Sequence, residues 1–156
     1  MYNKCIYIRP LRREDALISY KWRNDPDIWV YTGRRPDRTI TPEIELEWID
    51  CVLKDPTSRR FAICLNDGDV YIGNVQLTDI KDGRAEFHIF IGAKEYWGKG
   101  FGTEATKMLI SYAKDELQLK ELHLWVNPQN KSAVKLYAKC GFYQTDNSIN
   151  MILEIK

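Results

Sequence analysis

The chain has 156 residues, 44% of them hydrophobic and 29% charged, which describes one globular domain, 1–156, large enough to bury a core without a metal or disulfide. A net charge of +1 creates no global field toward nucleic acid or a membrane surface. No apolar run approaches the roughly 18–20 residues of a membrane span, and the opening MYNKCIYIRPLRRED has no apolar signal segment, so the cytoplasm is the expected compartment.

In chain order, a strand is predicted over Ile6–Arg9 and a helix over Arg13–Trp22, ended by the turn-forming Asn24-Asp25-Pro26. Thr41-Pro42 reads as an N-cap with proline in the first turn of a second helix running to Lys54. The runs RFAICL, YIGNVQLTDI and RAEFHIFI have strand composition. They are separated by the hairpin signals Asn66-Asp67-Gly68 and Asp82-Gly83, so three sequential antiparallel strands follow. Ala105, Met108, Leu109, Tyr112, Ala113 and Leu117 recur at helical spacing in a helix opening near Thr103. LHLWV is a strand, and a short helix starts at Lys131 and stops at Gly141. A last strand lies in MILEI, with another around Phe142. The order β-α-α-β-β-β-α-β-α-β is that of a mixed α/β domain.

Cys5, Cys51, Cys64 and Cys140 form no CxxC pair, and neither His88 nor His123 has a ligand partner at helical spacing. Reduced thiols and no metal are expected. The conspicuous stretch is EYWGKGFGTEATKML, with Gly98, Gly100 and Gly102 just before a helix. Glycine admits positive φ and close approach of a ligand, and the first helical turn carries unpaired N–H groups and partial positive charge. The stretch suits a diphosphate cradle or a tight turn with close packing. Lys99 lacks the Ser or Thr of a Walker A loop, and GxGxG is not the GxGxxG dinucleotide fingerprint.

These residues resemble instead the acyl-CoA loop of the GNAT superfamily of N-acetyltransferases, [QR]-x-x-G-x-[GA]. Gly100 and Gly102 fill the two small positions, and Trp97 stands where Gln or Arg is usual. YWGKG followed by TEA is similar to the RimJ/RimL-like branch. VNPQNKSAVKLYAKCGF resembles a second segment of the superfamily, with Asn130, Ala133, Leu136, Tyr137, Gly141 and Phe142 in register. The resemblance implies a central mixed, mostly antiparallel sheet flanked by helices, with strands 4 and 5 splayed apart to admit the pantetheine arm.

It also implies direct transfer of an acetyl group from acetyl-CoA to an amine. Tyr137 is the implied proton donor to the departing thiolate, and a main-chain N–H near Phe90 or Ile91 the implied donor to the acyl oxygen. The cofactor-holding set is completed by Trp97, Gly98, Lys99, Gly100, Gly102, Thr103 and Asn130. Glu86 and His88 alternate onto one face of the fourth strand. Glu86 matches an acidic position of the family and is the expected base; His88 is expected beside the acceptor, although a cross-strand polar pair explains both equally well.

The acceptor is a small-molecule amine by this reading, without nucleic acid or membrane partners. Arg34, Arg35 and Arg38 suit phosphate or carboxylate. The surrounding segment is similar to transferases acting on nucleotide-linked amino sugars. A protein N-terminus, a polyamine met by Glu43, Glu45, Glu47 and Asp50, and a non-catalytic acyl-CoA-binding module are the alternatives. An exposed strand near the C-terminus could pair two copies into a homodimer.

Overall fold

The computed structural model describes residues 5–32, 36–145 and 149–156. Its elements are β1 (Ile6–Pro10), α1 (Ala16–Arg23), α2 (Pro42–Leu53), β2 (Arg59–Leu65), β3 (Tyr71–Lys81), β4 (Arg84–Ile91), α3 (Phe101–Asp115), β5 (Glu121–Trp125), α4 (Lys131–Lys139), β6 (Tyr143–Gln144) and β7 (Asn150–Glu154). Short 3-10 turns at Arg13–Asp15, Pro26–Trp29 and Lys94–Tyr96 were not foreseen from the sequence.

Local chemistry explains the boundaries. Asp15 is drawn toward β1, where its carboxylate accepts from Arg9 at 2.9 and 2.7 Å and from the Arg12 N–H at 2.8 Å. The expected first helix is therefore tight over Arg13–Asp15 and regular only from Ala16. Thr41 caps α2 as anticipated, its hydroxyl accepting from the Ile44 N–H at 3.2 Å. Asp82 and Gly83 both take positive φ, +53° and +76°, the conformation of a two-residue hairpin turn. Gly100, left-handed at φ +83°, ends the preceding loop, so α3 opens at Phe101 rather than Thr103.

The seven strands make one sheet in the order β1-β2-β3-β4-β5-β7-β6. Pairing is antiparallel except between β4 and β5. Those two run parallel over only three rungs, Arg84↔Glu121, Ala85↔Leu122 and Glu86↔His123. Beyond Glu86 they part, so the splay implied by the family resemblance is present.

The pleat divides the sheet into unlike faces. On one, Ile8, Ile63, Val75, Leu77 and Phe87 are buried against α3 and Tyr137 of α4. On the other, α1 and α2 cover a smaller cluster around Trp22, Ile49, Ala62 and Tyr71. A Cβ at Gly92 would fall inside the Trp22 ring, so the missing side chain lets α1 close over the end of β4.

Candidate active site

The glycine loop serves two physical needs. Gly98 and Gly100 have φ of +73° and +83°, and among the described residues no atom lies within 4 Å of where a Cβ would sit. They are required for backbone shape, and the space beside them is open. Gly102 is different: its Cβ would lie 2.9 Å from Leu136 Cδ1, so it permits close packing of α3 on α4. The first helical bond of α3 is made by the Glu104 N–H to the Gly100 carbonyl at 3.2 Å. The amides of Phe101, Gly102 and Thr103 precede it and have no intrahelical acceptor.

This loop borders a cleft of about 1130 Å³ running through the splay. The cleft brings together Glu86, His88, Phe90, Ile91, the Trp97–Thr103 loop, Asn130 and Tyr137, residues that the sequence spreads over 52 positions, from 86 to 137. Arg34 and Arg35 lie outside the described residues. Arg38 is exposed and takes no part in the cleft wall.

On the α3–α4 side, Tyr137 is 9% exposed and packs edge-on to Phe87 and Phe142 at centroid separations of 6.0 and 5.9 Å. Burial pushes its phenol up to about 12, keeping it protonated throughout the neutral range. Asn130 caps α4, its side-chain oxygen accepting from the Ala133 N–H at 3.2 Å, and its amide nitrogen remains for other contacts. Lys99, Lys135 and Lys139 bring positive charge to this wall.

At the end of β4 the backbone alternates in direction. The Phe90 carbonyl lies against Gly73 of β3, where a Cβ would overlap it, so Phe90 contributes its ring, set 5.9 Å from Trp22. Ile91 faces the opening instead: its carbonyl accepts from the Trp97 indole N–H at 2.7 Å. The N–H of a strand residue points to the same side as its carbonyl, so Ile91, of the two candidates, presents a donor to the splay. Trp97 thereby ties the loop to the strand it follows while half of its surface stays exposed.

The opposite wall is polar and aromatic. His88 Nε2 lies 3.1 Å from Thr78 Oγ1 and 3.7 Å from Glu86 Oε2. Desolvation holds the His88 imidazole below its ordinary 6.5, with Glu86 pulling upward and Arg60 downward. The cleft is open, however, and 43% of that side chain still meets solvent. Trp125 is 49% exposed at the end of β5, and the Trp29 indole donates to the Arg23 carbonyl at 3.1 Å. Lys94 bridges Asp25 and Asp27, both at 2.9 Å, joining the two 3-10 turns that flank the cleft. Sequence reasoning missed Thr78, Trp29, Trp125, Lys135 and Lys139. Strand alternation would have put Trp125 on the face of His123, and helical spacing would have put Lys135 and Lys139 on one edge of α4.

Residues 6–143 match the family model of the acetyltransferase (GNAT) domain, and the chain belongs to that family. It is an enzyme that transfers an acetyl group from acetyl-CoA to an amine. It is 34% identical over 140 residues to the spermidine N(1)-acetyltransferase of Escherichia coli K12, covering 88% of this chain and 72% of that one. It is 28% identical over 145 residues to the N-acetyltransferase p20 of Bacillus licheniformis, covering 91% and 81%. In structure it resembles the spermidine N-acetyltransferase of Vibrio cholerae in complex with CoA and spermine, with a TM-score of 0.82, 27% identity and coverage of 96% and 93%. Among the described residues no helix is long and apolar enough to cross a membrane, and no three His, Cys, Asp or Glu side chains are grouped to hold a metal ion.

Proposed function

We propose that the chain acetylates a primary amine of a small polycation. The observation that carries this reading is the polarity of the cleft. Lysines 99, 135 and 139 lie on the α3–α4 wall, whereas the other wall offers Glu86, His88, Trp29 and Trp125. A diphosphate suits the first, beside the open amides of α3. An ammonium suits the second, where a carboxylate and aromatic faces both attract positive charge. Relatives that act on spermidine support the same acceptor class.

In this reading the loop from Trp97 to Thr103 holds the pyrophosphate, Ile91 N–H meets the acyl oxygen, Asn130 steadies the cofactor, and Tyr137 protonates the leaving sulfur. A nucleotide-linked amino sugar draws no support from the described residues, because two of its three arginines fall outside them and Arg38 is off the cleft. The short edge strand β6, with Tyr143 49% exposed, is the place for a second copy to pair, which light scattering tests. The acceptor is tested by acetyl transfer to spermidine, spermine, a peptide N-terminus of the kind a RimJ/RimL-like enzyme takes, and a UDP- or dTDP-linked amino sugar. Turnover of the polyamines at least tenfold above the others is expected. Preference for sugar or peptide overturns the acceptor, and saturable CoA binding without any turnover favours a binding module.

A further inference from the structure

We propose that His88, oriented by Thr78 and Glu86, is the base that takes the proton from the attacking amine. This rests on the amine-acetylation reading and names the residue that completes it. The last rung joining β4 to β5 is Glu86↔His123, and His88, two residues on, is the next side chain on the same face. It stands at the mouth of the splay, on the acceptor wall, opposite in face to Phe87 and the Tyr137 against which Phe87 packs. One proton acceptor and one proton donor therefore flank the opening from its two sides.

The competing carboxylates along the cleft are less well placed. Asp27 is engaged by Lys94 at 2.9 Å. Glu86 sits a step further in, at the last paired rung, with 29% of its side chain exposed against 43% for His88. If Nε2 carries its proton toward Thr78 Oγ1, 3.1 Å away, Nδ1 is left with a lone pair. Among the described residues no protein group is bonded to Nδ1. Glu86 Oε2, 3.7 Å from Nε2, then steadies the imidazolium once it forms.

The neighbours keep the ring neutral beforehand. Gln76 pairs with both His88 and Arg60 across the strands, so the three form one row on this face. Among the described residues Arg60 Nε is buried without a hydrogen-bond partner, and its guanidinium lies 5.3 Å from the Trp48 ring centroid. Its charge opposes an imidazolium, as does His123 on β5, while Glu86 on β4 and Asp79 on β3 favour one, and desolvation outweighs them all in keeping His88 unprotonated.

The amine lone pair forms a bond to the acyl carbon, and the nitrogen, now acidic, loses a proton to His88 Nδ1. The carbon–sulfur bond breaks with its electron pair going to sulfur, which takes the Tyr137 phenolic proton. Solvent then returns a proton to Tyr137 and removes one from His88, leaving amide and thiol.

The test is the pH profile of kcat, with coenzyme A titration and thermal melting to show that each variant folds and binds. H88Q is expected to lower kcat about a hundredfold and to abolish the acidic limb, and imidazole added to H88G should restore part of the rate. E86Q should move the wild-type acidic limb to lower pH and R60Q should move it to higher pH, opposite shifts that a merely structural role does not produce. H88Q within threefold of wild type overturns the assignment. So does absence of imidazole rescue together with a larger loss in E86Q, which makes Glu86 the base. Failure of the underlying reading looks different: wild type binds coenzyme A yet acetylates no amine, which overturns both.

Discussion

The two walls of the cleft are built on different principles. The α3–α4 wall works through the main chain and through packing: left-handed glycines, uncommitted amides and a phenol wedged between Phe87 and Phe142. The opposite wall works through side chains drawn from β4, β5 and the turn at Pro26–Trp29. A backbone cradle tolerates few substitutions but is indifferent to the acceptor. A side-chain wall can be rewritten residue by residue, so acceptor choice belongs there.

The contrast is broken most severely at Tyr137, the side chain to which the proposed function gives the proton for the leaving sulfur. Tyr137→Phe keeps the ring contacts and should lower kcat about a hundredfold while leaving acetyl-CoA binding within twofold; an unchanged rate between pH 6 and 9 would remove the phenol from the reaction. The same variant has a second readout. Because the folded phenol titrates near 12 rather than 10, unfolded chains ionise first as pH rises. Stability from this group is complete below pH 10 and is lost between about 10 and 12, by on the order of 3 kcal/mol. Urea unfolding across that range should show a shallower alkaline decline in Tyr137→Phe than in wild type.

Gly92→Ala strikes at the end of β4, where α1 closes over it. The added Cβ must displace Trp22, and overpacking of this kind costs about 2–3 kcal/mol, measured as a lowered unfolding midpoint. A midpoint unchanged within error would mean that Trp22 moves freely and does not clamp β4.

Gly100→Ala sharpens the distinction, because no atom of the described residues crowds the new methyl and φ carries the penalty. A cost of about 1 kcal/mol should appear as roughly fivefold weaker acetyl-CoA binding by calorimetry, with the KM for amine unmoved. Equal losses for both substrates would mean that the walls are not independent.

Lys94→Met should do least. Its bridge to Asp25 and Asp27 is exposed, and such pairs contribute little because solvent screens them. At most a twofold change in the KM for amine is expected, diminishing with added salt; a tenfold change would make the bridge part of the acceptor wall.

The same division governs what could be read from the chain. Gly98 and Gly100 stood out because glycines clustered before a helix leave a local pattern in sequence, and Tyr137 because it falls in register with the second segment of the family resemblance. The three sequential antiparallel strands β2, β3 and β4, the hairpin at Asp82-Gly83 and the α2 cap were legible from local pattern as well. The 3-10 turns were not, because contacts such as Asp15 with Arg9 and Lys94 with Asp25 shape them. Thr78 escaped notice since no neighbour in sequence hints at His88, and Trp125 because alternation gives its face but not the cleft that face borders.

Residues close in the chain, through backbone conformation and periodic burial, thus determined by themselves the α/β class, the loop able to meet a diphosphate and the family resemblance. Tertiary structure alone decided that β4 and β5 part after Glu86, that Ile91 rather than Phe90 turns its amide into the gap, and that Arg60, Gln76 and His88 share a row. Those outcomes depend on register between strands, and register is set by packing across the whole sheet rather than by any one segment.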